Sequence, residues 1–340
     1  MTDTQTIASV EQLDEALSRP STALVRFMQQ LDGDILILGA GGKVGPSLAR
    51  LAKRAVDDTG VDKTVTAVDL MPLPQLAVSG VRTIACDLLD LAAVEALPQA
   101  RNVIFMAGRK FGSTGGEHLT WAINVMAPYH VAKTFKHSRI AVFSTGCVYP
   151  LMSAQSGGAT EDTPPEPIGE YAQSCLGRER MFDYFSHVCG EHVVHVRLNY
   201  AVELRYGVLF DVAWKVWNSE PVDVTTGYAN VIWQGDACHQ VLQSLSLAAS
   251  PRAVLNVTGP ETISIRETAH AFGKLFGKTV TIAGKENGMG YLSNASRATA
   301  LYGKPAVSPE QVMQRIAHWI AIGGETLGKP THFETQNGKY

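Results

Sequence analysis

The chain has 340 residues, of which 45% are hydrophobic and 18% charged, and its formal net charge is −3 at pH 7. These values are typical of a globular protein of one large or two smaller domains, and they give no electrostatic reason to expect a nucleic-acid or membrane partner. The first residues lack a basic start and an apolar core, so no signal peptide is predicted, and no apolar run approaches membrane-spanning length. Five scattered cysteines without a CxxC pair predict a reducing, cytoplasmic location.

Strands and helices alternate along most of the chain. Residues 1–33 are predicted to be a helical extension, in which Ser9-Val10-Glu11-Gln12 resembles a capping box and a second helix covers 22–31. Beyond it, strands are predicted at 35–38, 64–69, 81–85, 102–107, 139–145 and 193–198, and the clearest helices at 117–136 and 169–188. This alternation predicts an α/β protein with a Rossmann-type, doubly wound parallel sheet.

The sheet domain is predicted to span residues 34–200, with a returning segment near 231–257. Residues 201–230 and 258–340 are assigned to a smaller C-terminal substrate-binding subdomain. Aromatic residues concentrate after residue 200 and would suit an apolar pocket, a domain boundary or an ordinary core: Tyr200, Tyr206, Phe210, Trp214, Trp217, Tyr228 and Trp233.

Residues 34–45 read Asp-Ile-Leu-Ile-Leu-Gly-Ala-Gly-Gly-Lys-Val-Gly and join a short strand to a helical pattern. Gly39 permits a tight turn, Gly42 lets a pyrophosphate approach the backbone, and Gly45 lets the helix pack closely on the sheet. Free N–H groups of the first helical turn would face the phosphates. The motif therefore predicts a dinucleotide site that includes Lys43 and Val44.

The residues that end the next strands bear on the choice of cofactor. Asp69 ends the second predicted strand, where a carboxylate accepts hydrogen bonds from ribose hydroxyls and repels the 2′-phosphate of NADP. No arginine follows in residues 70–74, so NAD is preferred over NADP, although such an Asp also caps ordinary turns. Asp87 and Leu88 would lie at the adenine, and Ala107-Gly108 would let the cofactor lie close to the backbone.

The order of these motifs resembles the extended short-chain dehydrogenase/reductases of the NAD-dependent epimerase/dehydratase family. After the glycine motif, Asp69 and Asp87, the resemblance continues with Asn124 in Trp-Ala-Ile-Asn-Val and with Ser144-Thr145-Gly146-Cys147-Val148-Tyr149 at the end of the fifth strand. A tyrosine follows at Tyr171, and residues 255–259 resemble a later Asn-containing strand. The resemblance covers roughly residues 34–322.

The resemblance implies which residues carry the chemistry. Tyr171 would donate or accept the proton at the reacting hydroxyl, and Thr145, with Ser144 beside it, would hydrogen-bond the same oxygen. NAD would exchange a hydride with the same carbon. A phenol titrates near pH 10 and must be tuned downward for work near neutrality.

One departure from the family pattern affects this tuning. The family has a lysine four residues after the tyrosine, whereas here that position is Cys175, which supplies no positive charge. The protein then either binds NAD without catalysis, uses another cation such as Lys110, Arg109 or Arg178, or relies on the positive charge of the oxidised nicotinamide. Two further interpretations are that Cys175 is simply a small buried residue or that it is a nucleophile.

A second departure concerns the substrate. Nucleotide-sugar members carry an arginine that grips the diphosphate, and the corresponding position here is Ala229. Arg197-Leu198-Asn199-Tyr200 also places its asparagine one residue early. These changes favour a free sugar, sugar acid or lactone over a nucleotide sugar. Arg205 is either an anion ligand or a surface charge.

Residues 187–195 contain His187, Cys189, Glu191, His192 and His195, which straddle the predicted end of a helix, a turn and a strand. They need not converge, so no metal site is predicted.

The hypothesis is an NAD-dependent oxidoreductase, epimerase or dehydratase acting on a carbohydrate hydroxyl through a keto intermediate. The alternatives are a catalytically silent NAD-binding protein and a reductase of another carbonyl class. By the family resemblance, the helices at 117–136 and 169–188 would pair two copies into a homodimer.

Overall fold

The computed structural model describes residues 6–110, 112 and 114–338. The expectation of no signal peptide rests partly on the first five residues, which lie outside this range. The strands within it are β1 (Ile35–Leu38), β2 (Val65–Asp69), β3 (Arg82–Ala85), β4 (Asn102–Phe105), β5 (Arg139–Thr145), β6 (Met152–Ser153), β7 (His192–Leu198), β8 (Ala201–Val202), β9 (Val222–Asp223), β10 (Tyr228–Asn230), β11 (Ile232–Trp233), β12 (Ala253–Val257), β13 (Thr262–Ser264), β14 (Ile282–Ala283) and β15 (Met289–Gly290).

Seven of these strands form one parallel sheet in the order β12-β7-β5-β4-β1-β2-β3. The chain therefore starts at the middle, winds out to β3, and crosses back over β1 to continue through β4. Strands β1 and β4 are buried along their whole length. Burial on both faces is expected where helices cover both sides of a parallel sheet, and it explains the continuous Ile35-Leu36-Ile37-Leu38 run. The predicted doubly wound α/β fold is confirmed, and all six predicted strands are present.

The helices are α1 (Val10–Ser18), α2 (Thr22–Gln30), α3 (Gly45–Asp57), α4 (Pro74–Ala77), α5 (Leu91–Glu95), α6 (Glu117–Trp121), α7 (Ala127–Thr134), α8 (Gly169–Cys189), α9 (Val208–Trp217), α10 (Gln234–Ser244), α11 (Ile265–Phe276), α12 (Ser296–Tyr302) and α13 (Pro309–Ala321). A π-helical turn, Ala122–Met126, joins α6 to α7. The helix predicted at 117–136 is therefore one continuous helical segment that contains a wider π-helical turn. Such widenings are frequent at functional sites. Within the described residues, none of the helices has the length and apolar character needed to cross a membrane.

Two large hydrophobic clusters hold the N-terminal helices. One lies on one face of the sheet and takes in Leu24 and Met28 from α2. The other joins α9, α11 and α13 and takes in Leu13 and Leu17 from α1. Each of these four side chains is fully buried, which contributes roughly 1.5–3 kcal/mol per residue. The N-terminal helices are thus fastened to both clusters. The predicted division into domains stays a prediction.

The residues after α13 form an irregular C-terminal segment, 325–338, that runs back over the molecule. It is held at Glu325, whose carbonyl accepts a hydrogen bond from Trp319 Nε1 at 2.9 Å, and by the buried Phe333. Gln336 Nε2 donates to the Thr226 hydroxyl at 3.0 Å, and Gly338 packs against the first turn of α8 at Gly169. The segment thereby reaches the N-terminal end of α8, the helix that carries Tyr171.

Candidate active site

The glycine loop has the shape that a dinucleotide requires. Gly39 has a φ of +88°, and a Cβ there would collide with the backbone of Ala107 on the adjoining strand end. A Cβ at Gly45 would collide with the Ala40 carbonyl, so this glycine lets α3 approach the loop. Over Gly42 the space is open, with the Gly39 oxygen 3.9 Å from where a Cβ would lie. The three positions thus have the local geometry that the spacing predicts, and their roles at a cofactor stay predictions.

Helix α3 begins directly after this loop. Its N-cap residue, Val44, makes no side-chain capping hydrogen bond, and proline follows in the first turn. The N-terminal N–H groups of a helix attract anions through their hydrogen-bonding capacity and the helix dipole. An uncapped N-terminus beside an open glycine is therefore a cradle for a phosphate group.

Asp69 lies at the end of β2, where the sheet meets the glycine loop. Its Oδ2 accepts a hydrogen bond from the Gly41 N–H at 2.7 Å, which ties the loop to the second strand. Asp87 follows β3, and its Oδ1 accepts from the Leu89 N–H at 2.9 Å. Leu88 is buried against the neighbouring core. These residues follow adjacent strands, so their placement fits the predicted adenosine side of a dinucleotide.

Tyr171 lies in the first turn of α8 and faces the end of β5. Its hydroxyl is hydrogen-bonded to the Thr145 side chain, and the Cys175 thiol one helical turn later is hydrogen-bonded to the Tyr171 side chain. The Thr145 hydroxyl oxygen also accepts from the Cys147 N–H at 3.2 Å. The structure thus assembles the pair that sequence motifs predicted and adds a thiol to it.

Burial governs the titration of this group. Burial first, and then the Cys175 and Cys147 thiols, raise the pKa of Tyr171 well above its usual range, while Arg178 and Thr145 oppose the shift. Burial raises the pKa of the Cys175 thiol to about 11. Both groups are therefore protonated at neutral pH, so the resting site holds a phenol and a thiol.

Two of the three candidate cations lie near Tyr171. Arg178 is buried and donates from Nη1 to the Phe143 carbonyl and from Nη2 to Asn124 Oδ1, each at 2.8 Å. The Lys110 Nζ lies 5.8 Å from the centroid of the Tyr171 ring. In contrast, Arg109 donates to the Gly112 carbonyl at 3.2 Å, away from the cavity-lining residues.

Asn124 occupies the π-helical turn and organises the loop that follows β4. Its Oδ1 accepts from the Arg109 N–H at 2.9 Å, and its Nδ2 donates to the Arg109 carbonyl at 3.1 Å and to the Ser174 hydroxyl at 2.9 Å. Gly108 lies between this side chain and Arg178, where a Cβ would collide with the guanidinium. Asn124 therefore fixes the backbone on which Ala107, Gly108 and Lys110 are carried.

Ser144 contributes to a buried ionic network. Its hydroxyl donates to Glu179 Oε1 at 2.6 Å, and Arg197 donates to both oxygens of the same carboxylate at 2.9 and 2.8 Å. The guanidinium also lies 4.7 Å above the Tyr149 ring centroid. The catalytic role given to Ser144 stays a prediction, and the network ties β5, β7 and α8 together. The sequence reasoning missed Glu179, because a lone acidic residue inside a helix is usually exposed.

A cavity of about 250 Å³ opens between the glycine loop and the Tyr171 cluster. Tyr200, which has a φ of +43°, and Tyr206 line its far wall, and Thr331 of the C-terminal segment lines its edge. A non-glycine residue at positive φ is costly and tends to persist at functional sites. The aromatic residues after residue 200 pointed toward this wall, whereas no sequence signal singled out Thr331.

Arg205 and His195, candidates in the sequence for an anion ligand and a metal ligand, pair with acidic side chains within the fold. Arg205 pairs with Glu203 at 3.1 Å and with Glu325 at 3.5 Å. His195 Nε2 lies 2.8 Å from Asp183 Oδ1. Among the residues that the structure describes, no group of three His, Cys, Asp or Glu side chains is arranged to hold a metal ion.

Ala229 and Asn199, the two positions at which the chain departs from nucleotide-sugar members of the family, are buried. Ala229 lies in β10 and is 1% exposed. The Asn199 Nδ2 donates to the Tyr291 carbonyl at 2.8 Å. Asn199 also lines the cavity, so this hydrogen bond fixes part of the cavity wall. The structure thus places no guanidinium at position 229.

Comparisons with known proteins agree with this geometry. Residues 35–201 match the model of the NAD dependent epimerase/dehydratase family. MoeE5, in complex with UDP-glucose and NAD, is similar at 21% identity and a TM-score of 0.68, over 85% of this chain and 99% of that chain. The UDP-glucose 4-epimerase of Thermus thermophilus, in complex with NAD, is similar at 19% identity and a TM-score of 0.68, over 84% of this chain and 97% of that chain.

UDP-glucuronic acid 4-epimerase from Bacillus cereus, in complex with NAD, gives 19% identity and a TM-score of 0.69, over 84% of this chain and 96% of that chain. No curated protein matches the sequence. At these identities the likeness to solved structures shows the fold. The family match confirms, for residues 35–201, the family expected from the ordered motifs, and an NAD-dependent enzyme is confirmed at the level of that family.

Proposed function

Because residues 35–201 belong to the NAD-dependent epimerase/dehydratase family, we propose that this protein is an NAD-dependent enzyme that acts on a hydroxyl-bearing carbon of a carbohydrate. The observation that carries the proposal is the hydrogen bond between Thr145 and the half-buried Tyr171, in a cavity that the glycine loop also lines. Proton transfer and cofactor binding are thereby brought to one place.

The glycine loop and its neighbours fit NAD. Gly39, Gly42 and Gly45, with the uncapped start of α3, would hold the pyrophosphate, and the backbone N–H groups of Lys43 and Val44 would lie beside it. Asp69 would accept from the adenosine ribose, and Asp87 and Leu88 would border the adenine. When bound, NAD supplies a hydride acceptor for the carbon that bears the reacting hydroxyl.

The proton is handled by Tyr171. With its pKa raised chiefly by burial, the phenol is an acid at neutral pH and needs a nearby positive charge before it acts as a base. Arg178 already opposes the rise in the Tyr171 pKa, and Lys110 lies beside the ring. We therefore assign to Arg178, the cation that opposes the rise, the charge that a lysine at position 175 would have supplied. Thr145 orients the phenol and shares the substrate oxygen, and Ser144 acts through Glu179.

The substrate is proposed to be a compact sugar, sugar acid or lactone in preference to a nucleotide sugar. A cavity of about 250 Å³ lies below the range in which drug-sized ligands bind. The buried Ala229 offers no bidentate donor for a diphosphate. Which of epimerisation, dehydration or oxidation takes place depends on how the substrate sits, and each begins with the same proton and hydride removal.

Two further expectations belong to the proposal. The surface formed by α6, the π-helical turn, α7 and α8 exposes large apolar side chains, and a homodimer would cover them: Leu119, Trp121, Met126, Tyr129, Tyr184 and Val188. All five cysteines lie within the described residues and none of them forms a disulfide bond, which supports a cytoplasmic location.

The deciding experiment compares Tyr171→Phe with wild type for NAD affinity and for turnover on a panel of sugars and sugar acids. We expect unchanged NAD affinity and a loss of turnover of about 10²–10⁴-fold, the usual contribution of a general acid or base. Tyr184→Phe, the same change at an exposed position of the same helix, is the matched control. Full turnover by Tyr171→Phe contradicts the role of Tyr171.

One observation favours a second candidate, a catalytically silent NAD-binding protein. The thiol of Cys175 replaces a cation, and burial together with that thiol raises the pKa of Tyr171. NAD binding without turnover on any member of the panel would support it, whereas wild-type protein that binds neither NAD nor NADP would rule out both candidates.

A further inference from the structure

The charges that line the cavity are all of one sign. Among the described residues that line it, Lys43, Lys110 and Arg178 are cationic, and no aspartate or glutamate is present. The neighbouring carboxylates are engaged elsewhere: Asp211 Oδ2 accepts from the Thr331 N–H at 2.7 Å, and Glu203 Oε1 pairs with Arg205. The lining of the cavity therefore carries basic side chains and no acidic one, while Asp211 and Glu203, outside the lining, raise the pKa of Lys43.

The two lysines that line the cavity come from different loops. Lys43 extends from the glycine loop, and its Nζ lies 3.1 Å from the centroid of the Tyr206 ring. Lys110 extends from the loop after β4, and its Nζ donates to the Thr331 carbonyl at 3.3 Å. The Lys43 Nζ thus lies against Tyr206 and the Lys110 Nζ lies 5.8 Å from the Tyr171 ring centroid, and both side chains line the same cavity.

The positive charge of Lys110 disfavours the charged form of Lys43. Burial lowers the pKa of Lys43 to about 7, and the positive charges of Lys110 and Lys329 add to the effect. Burial likewise lowers the pKa of Lys110. Keeping like charges together away from water is costly, and an anion placed between them relieves both effects. Arg178 differs, because its guanidinium already donates to Phe143 and Asn124.

We propose that Lys43 and Lys110 bind an anionic group of the substrate, so that the enzyme selects compact sugars bearing a carboxylate or phosphate ester over neutral sugars. The inference rests on the proposed function, since it concerns the substrate of the same site. A carboxylate accepts charge-assisted hydrogen bonds from two ammonium groups and would fix which hydroxyl faces Tyr171 and Thr145. The small cavity favours the carboxylate over the larger phosphate ester.

The test uses the full chain loaded with NAD. Titration calorimetry compares glucuronate, galacturonate, glucose 6-phosphate and malonate with neutral glucose and galactose, in wild type, Lys110→Gln, Lys43→Gln and the double variant. Lys274→Gln removes the same charge at an exposed position of α11 and is the matched control.

We expect wild type to bind at least one of the anions about tenfold or more tightly than its neutral counterpart. Each lysine variant should lose most of that preference, and Lys274→Gln should keep it. Glucuronate against glucose 6-phosphate tells which anionic group is selected. Weakened NAD binding in Lys43→Gln with anion preference intact would assign Lys43 to the cofactor and overturn its part in the proposal.

Failure of the inference is distinguishable from failure of the proposed function. If wild type does not bind NAD, the proposed function fails first. If it binds NAD but binds none of the anions, or binds them no better than glucose, the proposed function stands and the anion site is overturned. Anion preference that survives the double variant also overturns it.

Discussion

The buried pair of Glu179 and Arg197 should be strongly coupled in stability. The Glu179 side chain is fully buried and that of Arg197 is 2% exposed. Replacing either one with methionine leaves the other charge buried without its partner, which costs about 3–5 kcal/mol. Replacing both with methionine removes the charges and retains apolar volume, so the double variant should lie within about 2 kcal/mol of wild type.

The predicted coupling follows from these values. If the two single changes cost at least about 3 kcal/mol each and the double change costs no more than about 2 kcal/mol, the coupling energy is about 4 kcal/mol or more. The assay is urea unfolding of wild type, Glu179→Met, Arg197→Met and the double variant, monitored by tryptophan fluorescence and far-UV circular dichroism. Equal m-values would show that the surface exposed on unfolding is the same in all four proteins.

The pH dependence of the same cycle is a second readout. Burial alone would raise the pKa of Glu179, but hydrogen bonds from Arg197 and Ser144 outweigh it and hold the pKa below its ordinary value of 4.5. The pair's contribution is therefore present above about pH 4.5 and is lost as the pH falls toward the lowered pKa. Single costs below about 1 kcal/mol, or a double cost equal to the sum of the singles, would refute the reasoning.

Three further outcomes are expected. Asp69→Asn should reduce the preference for NAD over NADP by about 5- to 30-fold, because about 1–2 kcal/mol of charge repulsion at a partly exposed site is removed, and an unchanged ratio in titration calorimetry would contradict this role. Cys175→Lys should shift the rising limb of the pH profile for substrate oxidation to lower pH, since an ammonium lowers a Tyr171 pKa that burial raises, while Cys175→Met, which removes the thiol but adds no positive charge, should shift the limb much less; a profile that Cys175→Lys does not move would mean that another group titrates. Met126→Lys combined with Tyr184→Lys, both exposed positions of the apolar helix surface, should convert a dimer to monomer in light scattering, and a wild-type monomer at micromolar concentration would remove the dimer proposal.

The fold was predictable from local sequence because its signals are local. Apolar runs such as Ile35–Leu38 mark strands buried on both faces, and glycines at Gly39 and Gly45 mark places where backbone approaches backbone. The predicted strand at 102–107 ends earlier, at Phe105, because the chain leaves the sheet for the loop that Asn124 fixes. Position in the sheet, rather than apolar character, decides where such a strand stops.

The ionic and cavity features were less predictable because they depend on contacts between distant segments. Glu179 is paired with Arg197 and Ser144, which lie on two different strands. Lys43 was predicted at the cofactor, yet its side chain also lines the cavity beside Tyr206. Of three candidate cations near Tyr171, sequence spacing favoured none, and only the fold separates Lys110 and Arg178 from Arg109.

The C-terminal segment has a consequence for how the protein matures. Thr331 lines the cavity and accepts from Lys110, yet it comes after every helix and every strand of the sheet. A polypeptide emerging from the ribosome can assemble the sheet and the glycine loop before this last stretch exists, so cofactor binding can precede completion of the pocket.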